Sequence, residues 1–251
     1  LVSGPPTMWA ALADQPDADP AALASVRLAT SGAAKLPDEV PRRLMERFGV
    51  RLVEGYGLTE TSPVVATANG LPDAPVGSIG RPIRGIEMRL VDPEGDDVLI
   101  GDEGEVWVRG PNVCHGYWND PEATAAALTP DGWLRTGDLA VVNDDGYLFL
   151  VDRAKDLIIV SGFNVYPAEV EEILVEHPAV DAAAVVGVPH PHSGEAVKAF
   201  VVAARGFAVE EDDVVDWCAE NLARYKCPSK VMFVDELPQG VTGKVLRRTL
   251  K

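Results

Sequence analysis

The sequence predicts a mixed α/β and α+β protein in two parts, residues 1–154 and 155–251. Strand-sized apolar runs alternate with helical patterns at both ends of the chain, whereas residues 74–154 hold short β-like runs between turn signals. The length of 251 residues also exceeds the ~150 of an average domain. The charged turn Asp152–Asp156 provides the boundary between the two parts.

Residues 1–73 have the pattern of an α/β segment. Val26–Thr30 is strand-like and runs into the small residues Ser31-Gly32-Ala33-Ala34. Asp38–Phe48 repeats apolar residues at helical spacing, and Gly49 is its predicted stop. Val50–Glu54 is predicted to be the next strand.

Residues 74–154 are predicted to form an antiparallel sheet or a small, barrel-like β structure. Asp144-Asp145-Gly146 between apolar runs is a hairpin signal. A helix is predicted at Pro121–Leu128, with Asp120 as its N-cap. The predicted strands are Glu87–Val91, Gly104–Arg109, Leu139–Val142 and Tyr147–Val151.

Residues 155–251 are predicted to form a small α+β domain. Its helices are expected at Ala168–Glu176 and Val209–Leu222, with a short one at Thr242–Leu250. The expected strands are Leu157–Val160, Val180–Val188, Ala196–Ala203 and Lys230–Val234.

Composition excludes several classes of protein. With 22 Lys+Arg against 39 Asp+Glu the net charge is −17, which disfavours non-specific binding to nucleic acid or to anionic membranes. No apolar run reaches the ~18 residues of a membrane span, and no signal peptide opens the chain. The three cysteines lack metal spacing and indicate a reducing compartment, so a cytoplasmic location is expected. The first residue is Leu1, which is consistent with processing or with a start inside a longer protein.

Familiar single motifs are absent from the sequence. It contains no GxxxxGK[ST] phosphate loop and no GxGxxG turn. Polar residues follow predicted strands instead. In Gly55–Glu60, two glycines flank Tyr56 and would let a flat ligand approach the backbone, while Thr59 and Glu60 suit phosphate and Mg²⁺; an ordinary turn is the alternative.

Three further segments could carry chemistry, and each has a plain structural alternative. Asp138 follows a Thr-Gly turn and could bind a ribose diol, or simply form the turn. Val151–Asp156 holds four charges and could be a hinge with an anion-binding Arg153, or a solvated linker. Lys244 lies in a basic terminal segment and could meet a phosphate, or the segment could complement a helix C-terminus.

Taken in order, these segments resemble one family. Further short motifs belong to the same series along the chain: Gly104-Glu105-Val106, Gly116-Tyr117-Trp118, Pro121-Glu122-Ala123-Thr124, Gly162-Phe163-Asn164-Val165, Pro167-Ala168-Glu169 and Thr242-Gly243-Lys244. The succession is similar to that of the adenylate-forming (AMP-binding) superfamily of acyl-CoA synthetases, luciferase and peptide-synthetase adenylation domains. The resemblance covers essentially all 251 residues.

The resemblance implies a fold and an activity. The fold is the C-terminal part of an acyl-CoA synthetase-like large domain, with an α/β segment (1–73) and a β-rich segment (74–154), followed by the small mobile domain 155–251. The activity is that of a carboxylate–CoA ligase, which converts an acid, ATP and CoA to acyl-CoA, AMP and pyrophosphate through an acyl-adenylate. ATP/AMP, Mg²⁺, CoA and a small carboxylic acid are the implied ligands, with the N-terminal half of the same parent chain as partner. If the acid is a long-chain one, the resemblance implies a location peripheral to the membrane.

The resemblance also implies roles for individual residues. Lys244 would be the catalytic lysine of adenylation and Lys155 the hinge. Thr59 would contact phosphate and Glu60 would hold Mg²⁺. The nucleotide would be bound by Gly32, Ala33, Ala34, Tyr56, Gly57, Asp138 and Arg153, and the CoA pantetheine channel would be bordered by Ser161, Gly162 and Phe163.

The chain departs from the family pattern in one important respect. The family's Ser/Thr/Gly-rich phosphate loop precedes everything seen here, so these 251 residues alone are expected to be inactive. A peptide-synthetase-type adenylation domain, or a nucleotide- or CoA-binding fragment without turnover, is the alternative. Ile159 stands where luciferase-like members carry a second lysine, which disfavours luminescence chemistry.

Overall fold

The structure is a computed structural model that describes residues 1–32, 34, 36–240 and 245–250. The chain forms two compact units, Leu1–Val151 and Asp152–Lys251. Each unit has its own sheet or sheets and its own hydrophobic core.

The first unit begins with a five-stranded sheet in the order β1-β2-β3-β4-β5. The first three strands pair in parallel, and the next two add antiparallel. The strands are β1 (Val2–Gly4), β2 (Ala29–Ser31), β3 (Leu52–Gly57), β4 (Val64–Thr67) and β5 (Arg81–Pro82), and two helices, α1 (Pro6–Asp14) and α2 (Glu39–Phe48), accompany them.

Helix α2 shows why this region folds as the pattern predicts. Its apolar residues Val40, Leu44 and Phe48 are all buried, and Gly49 ends the helix in the left-handed conformation with φ +64°. They pack in one core with Trp9 of α1. The strand β1 and helix α1 were not predicted from the sequence.

A second sheet in the first unit has the order β6-β7-β8-β9. All of residues 74–154 are described, and within them this sheet is antiparallel and open. The prediction of an antiparallel sheet is therefore confirmed, whereas the alternative of a barrel-like closure was wrong. Asp120 caps helix α3 (Pro121–Ala127), as predicted, by accepting a hydrogen bond from Ala123 N at 2.9 Å. The strands are β6 (Glu87–Val91), β7 (Gly104–Arg109), β8 (Leu134–Val142) and β9 (Leu148–Arg153).

The second unit holds a sheet in the order β11-β10-β13-β12, with β14 also paired to β13. Its main core lies between this sheet and two helices and includes Val170, Leu174 and Val214. The strands are β10 (Ile158–Val160), β11 (Phe163–Val165), β12 (Val180–His190), β13 (Gly194–Ala203) and β14 (Lys230–Phe233), and the helices are α4 (Pro167–Val175) and α5 (Glu211–Asn221).

The C-terminal segment differs from the short helix predicted at Thr242–Leu250. In the described part, Val245 pairs with Gln239 in an antiparallel bridge, and only Arg247–Thr249 form a single 3₁₀ turn. The backbone of Val245 is thus used for a sheet-like pairing that local pattern does not reveal. The predicted positions 242–244 lie outside the described residues.

No helix among the described residues is long and apolar enough to cross a membrane. The three cysteines are free thiols, and Cys218 is fully buried, where burial raises its pKa to about 11. Cys218 therefore acts as a small apolar core residue.

Candidate functional site

The carboxyl ends of the parallel strands β2 and β3 lie side by side, with Ser31 in register with Glu54. Ligands of open α/β sheets bind outside such strand ends. A Cβ atom added to Gly32 would lie 3.4 Å from Gly55 O, so the two backbones approach closely here. Of the other residues predicted to line the adenine pocket, Ala34 is exposed, and Ala33 lies outside the described residues.

Two predicted nucleotide-binding residues, 82 positions apart, are in direct contact. The hydroxyl of Tyr56 donates a hydrogen bond to Asp138 Oδ2 at 2.8 Å, and both residues are buried. Tyr56 comes from β3 of the first sheet and Asp138 from β8 of the second. The structure therefore brings an aromatic ring and a carboxylate to one place.

A bulge in β8 places Asp138. The pairing of β7 with β8 shifts between Glu105 and Trp107, and Gly137 takes φ +69° opposite the shift. Thr136 Oγ1 donates to Val106 O at 2.7 Å and accepts from Asp138 N at 3.1 Å, while Gly137 N donates to Glu105 Oε1 at 2.9 Å. The Thr-Gly-Asp turn is thus fixed from both sides.

The predicted phosphate and Mg²⁺ residues lie in a 3₁₀ turn, Thr59–Thr61. Thr59 is exposed, whereas Thr61 is buried and organises the turn. The Thr61 hydroxyl oxygen accepts from Leu58 N at 3.0 Å and lies 2.8 Å from Pro63 O. A Cβ atom on Gly57 would collide with Pro63 O, so Gly57 is needed for turn closure, a different reason from the ligand approach predicted for it.

The Glu60 side chain is held by Tyr117, a residue for which no role was predicted. Tyr117 OH donates a hydrogen bond to Glu60 Oε1 at 2.8 Å, and this bond raises the pKa of Tyr117 to about 12. The phenol is protonated at neutral pH, as an ordinary tyrosine is, and can therefore act as the donor. Tyr117 belongs to the motif Gly116-Tyr117-Trp118, but it lies 57 residues from Glu60 in the sequence, so the contact could not be predicted from local pattern.

No role was predicted for Ser31. Its hydroxyl is buried at the end of β2 and has no hydrogen-bond partner among the residues that the structure describes. It directly precedes Gly32 at the strand edge described above.

The predicted hinge residue Lys155 is exposed in a 3₁₀ turn, Ala154–Asp156. Asp152, just before the turn, accepts hydrogen bonds from Arg153 N at 2.7 Å and from Ala168 N, in the first turn of α4, at 2.9 Å. Arg153 itself is half-buried.

The residues predicted to border the pantetheine channel form the tip of the β10–β11 hairpin. Ser161 and Gly162 adopt φ values of +53° and +86°, which make the tight turn. Phe163 is 56% exposed and stacks on Tyr225 with ring centroids 4.8 Å apart. An exposed aromatic ring at a hairpin tip is available to a ligand.

Lys244, predicted to be the catalytic lysine, lies outside the described residues. Arg247, three positions later in the sequence, is held by several carboxylates. Arg247 makes a bidentate pair with Glu171, with Nε–Oε1 3.0 Å and Nη2–Oε2 2.6 Å. Its Nη1 lies 3.7 Å from Asp152 and 3.5 Å from Asp156. Burial acts to lower the pKa of Arg247, but the bonds to Glu171 and the three carboxylate charges outweigh it and raise the pKa.

The residues around Glu60 fit a Mg²⁺ ion that arrives with a nucleotide. No group of three or more His, Cys, Asp or Glu side chains suited to a metal occurs in the described part of the chain. Mg²⁺ is usually held by one or two carboxylates together with substrate phosphates and water. One fixed carboxylate, that of Glu60, beside the hydroxyl-bearing Thr59 meets that requirement.

Comparison with known proteins identifies the family to which the chain is similar. Residues 1–118 match the family model of AMP-binding enzymes, and residues 169–244 match that of the AMP-binding enzyme C-terminal domain. A feruloyl-CoA synthase of Amycolatopsis sp is 45% identical over 248 residues, which cover 98% of this chain and 50% of that protein. A long-chain-fatty-acid–CoA ligase of Salmonella typhimurium is 42% identical, covering 100% and 44%.

A solved structure shares the fold. ATP-bound MatB from Rhodopseudomonas palustris superposes with a TM-score of 0.92 at 38% identity, covering 99% of this chain and 49% of MatB. The chain thus spans about half the length of the relatives it matches. The fold and these matches define an AMP-binding enzyme, and the chain belongs to the adenylate-forming superfamily.

Proposed function

We propose that this chain is part of an ATP-dependent carboxylate–CoA ligase. The ligase would convert a carboxylic acid, ATP and CoA to acyl-CoA, AMP and pyrophosphate through an acyl-adenylate. Membership of the adenylate-forming superfamily supports the adenylation step. Two of the similar proteins are named as a CoA synthase and a CoA ligase, which supports CoA as the acceptor.

The observation that carries the proposal is the contact of Tyr56 with Asp138. In a nucleotide, the base and the ribose are joined by a single bond. The groups that recognise them must therefore lie within a few ångströms of each other. Tyr56 supplies an aromatic ring for the base, and Asp138, 2.8 Å from its hydroxyl, supplies a carboxylate that can accept hydrogen bonds from the ribose diol.

The turn that follows Tyr56 suits the phosphates. The exposed Thr59 offers a hydroxyl to a phosphate oxygen, and Glu60 would hold Mg²⁺. When bound, Mg²⁺ would neutralise phosphate charge that otherwise repels the substrate carboxylate. Thr59 and Glu60 then position the triphosphate for attack by the carboxylate on the α-phosphate.

The second unit would supply groups for both half-reactions. Lys244 is proposed to place a cation between the carboxylate and the phosphate during adenylation. The hairpin tip Ser161–Phe163 is proposed to border the pantetheine chain of CoA during thioester formation. Lys155, exposed in its short turn, is proposed as the pivot that exchanges the two.

The first prediction concerns the overall reaction. Thioester formation from ATP, CoA and a panel of aromatic and fatty acids is measured for this chain and for a version extended N-terminally. The extended version is expected to form thioesters, whereas the chain alone is expected to be inactive because its sequence contains no phosphate loop. Failure of both versions with every acid would contradict the proposal. Transfer to a carrier-protein thiol but not to CoA would favour a peptide-synthetase-type domain.

The Lys244→Ala variant of the active version is the control for that assay. It should lose adenylation but still form thioester from supplied acyl-adenylate, since Lys244 is assigned only to the first step. Equal loss in both half-reactions would contradict the assignment of Lys244.

A further inference from the structure

Residues 112–117 are fastened to the turn that carries Glu60. Asn112 Nδ2 donates to Thr61 O at 2.7 Å and to Val64 O at 2.9 Å. Cys114 N donates to Glu60 O at 2.8 Å. The backbone of the turn is therefore held independently of the Tyr117 hydroxyl.

Tyr117 is itself fixed from the opposite side. Its backbone N donates to Thr124 Oγ1 of helix α3 at 2.8 Å, and it pairs with Asp120, the cap of that helix. A Cβ atom on Gly116 would lie 2.5 Å from the Thr124 side chain, so the glycine permits this close approach. The phenol thus extends from a fixed base toward Glu60.

The Tyr117 hydroxyl engages only one oxygen of the Glu60 carboxylate. Oε1 accepts its hydrogen bond at 2.8 Å, while Oε2 accepts none from the residues that the structure describes. Tyr117 is 42% exposed, and a hydrogen bond near solvent adds little to folding stability. The bond does, however, restrict the rotation of the carboxylate.

We infer that Tyr117 is a positioning residue, which orients Glu60 so that Oε2 can coordinate a nucleotide-bound Mg²⁺. Carboxylates that bind metals are commonly held by such hydrogen bonds, and losing one typically costs 10–100-fold in metal affinity. The inference rests on the proposed function, since Glu60 is a metal ligand only if the chain binds a nucleoside triphosphate.

The second prediction tests this inference with Mn²⁺ in place of Mg²⁺. Free Mn²⁺ is measured by electron paramagnetic resonance as Mn²⁺·ATP is titrated into the N-terminally extended version and into the chain itself. Tyr117→Phe removes only the hydroxyl and should weaken Mn²⁺ binding about 10-fold or more. It should also raise the KM for the metal–ATP complex more than it lowers kcat.

Two further variants distinguish the outcomes. Trp118→Phe alters the adjacent, 91% exposed ring and should leave Mn²⁺ affinity unchanged. If Glu60→Gln weakens binding but Tyr117→Phe does not, the positioning role is overturned while the proposed function stands. If neither changes Mn²⁺ affinity, the assignment of Glu60 fails and the inference with it. A matching loss of thermal stability in Tyr117→Phe would make its role structural and also overturn the inference.

Discussion

The turn after β3 tolerates a side chain at one of its two neighbouring glycines but not at the other. A Cβ atom on Gly57 would collide with the backbone carbonyl of Pro63, which no rotamer change can relieve. A Cβ atom on Gly55, two residues earlier, would meet Ala66 O at 3.6 Å, an ordinary contact. The two glycines look equivalent in the sequence, yet only one is required by packing.

The third prediction compares these glycines. Gly57→Ala should destabilise the first unit by about 2–3 kcal/mol or more, since the backbone must move to admit the methyl group. Gly55→Ala should cost about 1 kcal/mol or less. Urea unfolding, followed by circular dichroism, measures both values. Equal effects of the two substitutions would refute the steric explanation.

Residue identities predicted some of the site but not its contacts. Tyr56 could be selected because it lies between two glycines after a predicted strand, and Asp138 because it follows a Thr-Gly turn; sites often form at such positions. Tyr117 could not be selected, because a hydrogen bond across 57 residues leaves no local signal. The buried, unpartnered hydroxyl of Ser31 is likewise invisible without the fold.

At the scale of elements, Arg247 ties the turn that contains Lys155, the proposed hinge, to helix α4. Its guanidinium pairs with Glu171 of α4 and lies near both Asp152 and Asp156, which flank Lys155. Rotation about Lys155 would have to break one of these contacts or carry the whole cluster along. We therefore expect the cluster to restrict the movement of this turn.

The fourth prediction is that Arg247→Ala loosens the turn. Removing one partner of a largely buried ion pair costs about 3–5 kcal/mol, because Glu171 is left without its counter-charge. Trypsin should then cleave after Arg153 and Lys155 at least about 10-fold faster, a change measured by mass spectrometry. Arg248→Ala, which alters an exposed neighbour, is the matched control. Identical cleavage rates for the two variants would show that Arg247 does not restrain the turn.

Local pattern predicts elements well only where the pattern is long enough. The bounds predicted for β6 and β7 match the structure, since β7 alternates buried and half-buried residues along its length. The strand β1 has three residues, too few for a period to be recognised. The predicted C-terminal helix was wrong because Val245 pairs with Gln239, a contact that local propensity cannot indicate.

At the scale of the whole molecule, each unit has its own core. Among the residues that the structure describes, two core clusters lie within 1–151 and two within 152–251. Leu174 and Val170 of α4, both fully buried, stand at the centre of the main core in the second unit. A unit of about 100 residues with such a core is large enough to fold alone.

The fifth prediction is that residues 152–251 fold as an isolated polypeptide. Urea should unfold it in one cooperative transition. Leu174→Ala should cost about 2–5 kcal/mol, by the same amount in the isolated unit as in the full chain. Absence of a cooperative transition, or a cost that differs between the two contexts, would show that the unit depends on the rest of the chain.

The sequence by itself determined the family, the mixed fold class and the main candidate residues. These properties can be recognised from local motifs and from hydrophobic periodicity, both of which are contained within short segments of the sequence. Only the tertiary structure decided that Tyr56 contacts Asp138, that Tyr117 holds Glu60 and that Arg247 lies against the turn that contains Lys155. These contacts join side chains that are at least 57 residues apart, and their geometry exists only after the strands and helices have packed.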